Sequence, residues 1–188
     1  MPGFVYAQDP KGAIYVNLYV SSRTAFSIGG QDLSLDVKSE LPWGGTSTIA
    51  LSARNDVKGT IKLRIPGWAR SQPVPGGLYK YANAAAGQAV VSVNGARITA
   101  TPDTMGYVSL DRIWKNGDVV TVEFPMDVRR VVADERVKDD RGRMAIERGP
   151  IVYCLEACDQ AAPLSSLYVP AEAELKAEKD KDLLGGVV

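Results

Sequence analysis

The residues of this sequence most suited to chemistry are its two cysteines, Cys154 and Cys158, and both stand without the partners a reactive thiol needs. A thiol becomes a nucleophile or a metal ligand when a base, a positive neighbour or a metal draws off its proton. The chain contains no histidine. That removes Ser-His-Asp and Cys-His activation, histidine metal ligation and histidine acid–base work together. Two cysteines cannot build a four-cysteine zinc site, and without histidine they cannot complete a mixed one. They read as small, semi-buried hydrophobic residues. The sequence therefore nominates no catalytic residue and no metal ligand.

Carboxylates are the other possible actors. Glycosidases use two of them about 5–10 Å apart, one with a raised pKa. Here no carboxylate stands out by its spacing or apolar surroundings. Asp139-Asp140-Arg141-Gly142 lacks the spaced oxygen ligands of a calcium loop, so it reads as a solvated turn. Glu147 and Arg148, before Gly149-Pro150, are expected to form a strand-end ion pair or to lie exposed. Sugar contact would fall to aromatic rings. Trp43 sits between Pro42 and Gly44 on a loop, where it either stacks on a sugar or packs the loop down. Tyr79 and Tyr81 are further carbohydrate-contact candidates, and Tyr107 is a third tyrosine with no evident common face. Trp68 and Trp114 are expected in the core or at an interface.

The elements that must position these residues are strands. Ile14, Val16, Leu18 and Val20 alternate with Tyr15, Asn17 and Tyr19. Leu33, Leu35 and Val37 alternate with Ser34, Asp36 and Lys38, and Ile61, Leu63 and Ile65 with Lys62 and Arg64. Val120, Val122, Phe124 and Met126 form a fourth such run, with shorter ones at Ile49–Leu51 and Val91–Val93. A period of two marks sheets buried on one face. Asp9-Pro10, Gly29-Gly30, Pro42 to Gly45, Asn94-Gly95 and Asn116-Gly117-Asp118 supply turns between them. Gly76-Gly77 and residues 84–86 read as an irregular connection. The fold class is therefore all-β: an antiparallel, jelly-roll-like β-sandwich over residues 1–130. Residues 131–188 would form part of a second β-domain, or strands that complete the sandwich. In that part, Met144 pairs in phase with Ile146, and Ile151, Tyr153 and Leu155 form a strand whose other face, Val152 and Cys154, is also apolar and so expected to be covered. The segment around Glu172 and Lys176 reads equally as short helix or charged edge strand. The closing LLGGVV reads as a strand cut short.

The 22 basic and 22 acidic side chains cancel, which argues against nucleic acid and anionic membranes as partners. No apolar run reaches the 18 residues of a membrane span, and the first ten residues show no signal-peptide pattern.

Six motifs occur in a telling order: IYVNLYVSS (Ile14 to Ser22), LRIPGWA (Leu63 to Ala69), VNG (Val93 to Gly95), GYVSLDRIWKNGDVV (Gly106 to Val120), FPMDVR (Phe124 to Arg129) and AIERGPIVYCLE (Ala145 to Glu156). Together they resemble the C-terminal β-sandwich portion of the β-L-arabinofuranosidase-like glycoside hydrolases of family 127, over nearly the whole chain. The resemblance implies a preceding catalytic α/α barrel carrying a zinc-bound cysteine nucleophile, further cysteine ligands and a glutamate. The family's Cys-Cys pair would lie just before a stretch like Pro2-Gly3-Phe4, so zinc is expected in that missing domain and no cofactor in this chain. Cys154 and Cys158 inherit no catalytic role. The implied function is a non-catalytic region of a hydrolase acting on non-reducing-end arabinofuranosides, with the α/α barrel as partner and Tyr15 and Tyr19 packed against it. An autonomous carbohydrate-binding module and a homo-oligomerisation domain are the alternatives.

Overall fold

The computed structural model describes residues 2–83, 87–182 and 187. Its strands in chain order are β1 (Tyr6–Gln8), β2 (Ile14–Val16), β3 (Ser22–Ile28), β4 (Gln31–Ser39), β5 (Thr46–Ala53), β6 (Val57–Arg64) and β7 (Tyr79–Tyr81). They continue with β8 (Val90–Val93), β9 (Ala96–Ile98), β10 (Tyr107–Trp114), β11 (Val119–Glu123), β12 (Val128–Ala133), β13 (Met144–Arg148) and β14 (Ile151–Tyr153). The first sheet runs β1-β2-β6-β10, the second β3-β4-β5-β11-β8-β9 and the third β14-β13-β12-β7. The strand pairs are antiparallel apart from β2 and β6, which run parallel.

The first two sheets make the sandwich. Ile14, Val16, Ile61, Leu63 and Val108 of the first share one core with Leu33, Leu35, Ile49, Leu51, Val91 and Val120 of the second. Each of these alternates with a more exposed residue, so the period of two seen in the sequence is a period of burial. Tight turns set the register. Gly29 and Gly30 both hold positive φ (59° and 80°) between β3 and β4, and Asn94 and Gly95 do so (50° and 78°) between β8 and β9. Two positive φ values match the twist of the flanking strands.

Several expectations need correction. The run from Ile14 does not continue as one strand. β2 stops at Val16, Leu18 and Val20 lie about half exposed (49% and 50%), and Tyr19 turns inward. Its ring packs edge-on against Phe124 at 5.0 Å, and its hydroxyl donates to the Arg64 carbonyl at 2.9 Å. That hydrogen bond and ring contact outweigh continued alternation once the chain leaves the sheet. β3, with its polar residues, had no expectation at all. Val152 is 62% exposed and Cys154 is exposed, because β14 is the edge of the third sheet. Residues 171–182 form neither helix nor strand beyond a bridge from Asp180 to Val187, and Lys176 pairs with Glu174 at 3.3 Å rather than with Glu172. The expected irregular link at 84–86 and most of the closing LLGGVV lie outside the described residues.

Candidate functional site

The third sheet is short of apolar side chains and buries charge instead. In its register Arg129 of β12 stands opposite Glu147 of β13, and Val131 opposite Tyr81 of β7. With a period of two, Tyr81, Arg129, Val131 and Glu147 project from one face. Arg129 is 8% exposed and Glu147 6%. The expectation of exposed charges or a Glu147–Arg148 ion pair is therefore corrected: Glu147 is buried and its partners lie on other strands. The Tyr81 hydroxyl donates to Glu147 Oε1 at 2.5 Å. The Arg129 guanidinium lies over the Tyr81 ring, 3.7 Å from its centroid, and its Nη2 donates to the Asn83 carbonyl at 2.9 Å. Arg148 points elsewhere and donates to the Trp43 carbonyl at 2.9 Å.

Burial pushes the Glu147 carboxyl above its ordinary value, against the opposing pull of the Tyr81 hydrogen bond and the Arg129 charge. Burial, the hydrogen bond to Glu147 and the Glu147 charge likewise push the Tyr81 phenol up, against the Arg129 charge. A cavity of about 10 Å³ opens beside the cluster, lined by Trp68, Tyr81, Pro125, Asp127, Arg129, Glu147 and Gly149. That is room for about one water molecule and no sugar ring. A shallower groove of about 240 Å³ shares Pro125 and Asp127 and extends along Gln88, Glu123 and Met126. Trp68 bridges the cavity to the sandwich core through Phe124, 5.4 Å away between ring centroids. Met126 closes the joint: its side chain fills the space where Gly45 and Gly149 have no Cβ. In chemical terms the cluster can hold and exchange a proton in a confined place. It does not enclose a substrate.

The sequence-nominated aromatic residues are dispersed. Tyr81 lines the small cavity, with Arg129 over its ring. Tyr79, two residues earlier on the same strand, donates to Asp140 Oδ2 at 2.9 Å, so the expected solvated turn receives a tyrosine. Trp43 is half-buried on a loop that follows the cis Leu41–Pro42 bond and lines neither cavity. Tyr107 belongs to a different surface, the outer face of the first sheet. There it meets Tyr15 edge-on at 5.3 Å and accepts Arg64 over its ring at 5.5 Å, while Lys62 lies 4.7 Å over Tyr15. Trp114 is fully buried, and its Nε1 donates to the Gly59 carbonyl at 3.0 Å. Trp68 packs against the core and is half-buried.

Cys154 and Cys158 are both free and exposed, which corrects the semi-buried reading. Cys158 lies with Glu156 and Asp159 so that one ligand atom of each falls within 4.8 Å of the others. One exposed thiol and two exposed carboxylates fall short of the four-donor closed set of a structural zinc, and the zinc that the resemblance implies belongs to the preceding barrel, not to these residues.

Sequence reasoning missed Arg129 and Glu147 as a pair. Their only signal was position: each occupies a core-facing place in its strand, and that becomes visible once the β12–β13 register is known.

Comparison with known proteins agrees with the motif order. Residues 13–126 match the description "Beta-L-arabinofuranosidase, GH127 middle domain", and residues 128–179 match "Glycoside hydrolase family 127 C-terminal domain". A non-reducing end beta-L-arabinofuranosidase of Bifidobacterium longum subsp. longum is 28% identical over 98% of this chain, which spans 26% of that protein. A solved GH127 beta-arabinofuranosidase superposes with a TM-score of 0.87 at 38% identity, over 98% of this chain and 29% of its own. A GH127 beta-L-arabinofuranosidase from Geobacillus stearothermophilus T6 gives 0.83 at 34% identity, over 97% of this chain and 26% of its own.

Proposed function

The chain belongs to glycoside hydrolase family 127, whose middle and C-terminal domains it spans, and from that premise we propose that it is the non-catalytic β-sandwich region of a hydrolase that removes non-reducing-end β-L-arabinofuranosyl groups. The observation that carries this reading is the match to the middle and C-terminal domains, over little more than a quarter of the length of the relatives. The chemistry of the chain supports it. Glu147, a buried carboxylate beside a cavity, has room next to it for a water molecule and not for a sugar.

The work of the region is support. A sandwich with a single continuous core is a stiff body against which a catalytic α/α barrel can be held. The outer face of the first sheet is the contact surface in this reading, with Tyr15, Tyr107, Lys62 and Arg64 locked to one another before any partner arrives. Preorganised aromatic and cationic side chains lose little entropy on docking. Tyr19 has no part in that surface, since it is buried.

The test is direct. The isolated chain, incubated with a chromogenic β-L-arabinofuranoside and zinc, releases no product. Turnover that disappears in Glu147→Gln or Asp127→Asn would defeat the reading.

A further inference from the structure

Granted that the outer face of the first sheet is the one turned toward the barrel, we infer that Arg64 on that face is a preformed receptor for a single carboxylate, supplied by an Asp or Glu side chain of the polypeptide that docks there. β6 lies between β2 and the edge strand β10, and its register sets Lys62 beside Tyr15 and Arg64 beside Tyr107. The two cations share one face but differ in their partners. Lys62 is engaged: its Nζ donates to the Tyr15 hydroxyl at 3.0 Å, and the charges of Asp103 and Asp9 act on it. Arg64 has no ion pair among the described residues, and its Nε is buried without a hydrogen-bond partner. The carboxylates of the same face are held by other groups. Asp9 accepts from the Lys11 and Ala13 N–H groups and from the Tyr15 hydroxyl. Asp103 accepts from the Met105 and Tyr107 N–H groups, and Asp111 from the Thr60 hydroxyl.

The platform under Arg64 is fixed. Its guanidinium lies over the Tyr107 ring, 5.5 Å from the centroid. That ring meets Tyr15 edge-on at 5.3 Å, and its hydroxyl donates to Asn17 Oδ1 at 2.7 Å. A half-buried guanidinium laid on a pinned ring has already lost part of its water and much of its rotamer freedom. A carboxylate that reaches it gains charge-assisted hydrogen bonds at a reduced entropic cost.

The surroundings favour a polypeptide as the source of that carboxylate. Exposed apolar side chains border the cluster. Leu18 (49% exposed) follows Asn17, and Met105 (71%) lies two residues before Tyr107. Phe4 (76%) precedes Val5, whose carbonyl accepts from the Asn17 and Leu18 N–H groups. Arginine and tyrosine bordered by Phe, Leu and Met have the composition of an interface hot spot, where apolar contacts keep water from the central polar pair.

Solution NMR of the arginine Nε–Hε groups in the 188-residue chain tests this. The probe is N-acetylglutamic acid α-N-methylamide, which carries one side-chain carboxylate, and its glutamine counterpart is the neutral control. The Arg64 signal should shift saturably with the glutamate compound, at a midpoint about fivefold below that of Arg97, an exposed arginine on β9. It should not saturate with the glutamine compound. Tyr107→Leu removes the platform and should raise the Arg64 midpoint severalfold. An Arg64 response no tighter than that of Arg97, or one matched by the glutamine compound, overturns the proposal, as does an unchanged midpoint in folded Tyr107→Leu. The comparison of Arg64 with Arg97 in the unmodified chain decides even if the variant fails to fold. The hydrolase reading is tested separately, since turnover by the isolated chain would defeat it and this titration does not touch it.

Discussion

Two buried side chains show how single residues hold this protein together, and each gives a measurable outcome. Trp114 is fully buried and anchors β10 to β6 through its indole N–H on the Gly59 carbonyl. Trp114→Ala should destabilise the chain by about 3–5 kcal/mol, and Trp114→Phe by about 1–3 kcal/mol, chiefly through the unpaired carbonyl, as urea denaturation would read. Asp118 joins two turns: it accepts from Asn94 Nδ2 at 2.8 Å and from the Lys115 N–H at 2.9 Å. Burial pushes its carboxyl up, but these hydrogen bonds and the nearby Arg112 and Lys115 outweigh it and hold the pKa below 3.8. A depressed folded pKa stabilises above the unfolded value and fades as pH falls through the folded one. Asp118→Ala should therefore cost about 1–3 kcal/mol near neutrality, with the gap to the unmodified chain narrowing in acid. At this scale the sequence was readable where chemistry is intrinsic to the residue. Trp114 and Trp68 were placed in the core or at an interface by size and apolarity. Glu147 was misread as a strand-end ion-pair partner or an exposed charge because its burial depends on Tyr81, 66 residues away. Cys154 and Cys158 were misread as semi-buried because nothing local shows that the chain leaves the third sheet after Tyr153 and carries both thiols into solvent.

At the scale of elements, alternation was legible in β4, β6 and β11, whose inner residues all face one core. It misled after β2, because Tyr19 finds its partners, Arg64 and Phe124, off the strand. In the third sheet β13 and β14 were legible through Met144 and Ile146 and through Ile151 and Tyr153, but β7 was not seen as part of it, since it enters from far upstream and pairing partners leave no mark in local sequence. The joint between the sheets rests on small residues. A Cβ at Gly45 would meet the Phe124 carbonyl oxygen and the Met126 side chain. Gly45→Ala should cost about 1–3 kcal/mol by overpacking. Thermal unfolding should show the lowered midpoint, with the transition remaining single, because the sandwich and the third sheet share Trp68, Met126 and β7.

At the scale of the whole molecule, one continuous core joins the first two sheets, and the chain spans between a quarter and a third of the length of the relatives it matches. At this scale the motif order was the strongest signal in the sequence, because six short stretches spread over the chain constrain each other more than any one constrains itself. Trp43, Tyr79 and Tyr81 do not converge on one cavity, and calorimetric titration of the isolated chain with arabino-oligosaccharides should give no heat of binding. Saturable binding lost in Trp43→Ala would instead make the region a sugar-recognition module.

The placement of Tyr79–Tyr81 also bears on how such a protein can be rearranged. A break in the gene between codons 126 and 128, where the two family descriptions meet, would leave the later portion without its fourth strand and Glu147 without its phenol. Chimaeras that transplant this module must carry that borrowed ribbon with it, and shuffling at the apparent seam should yield insoluble product.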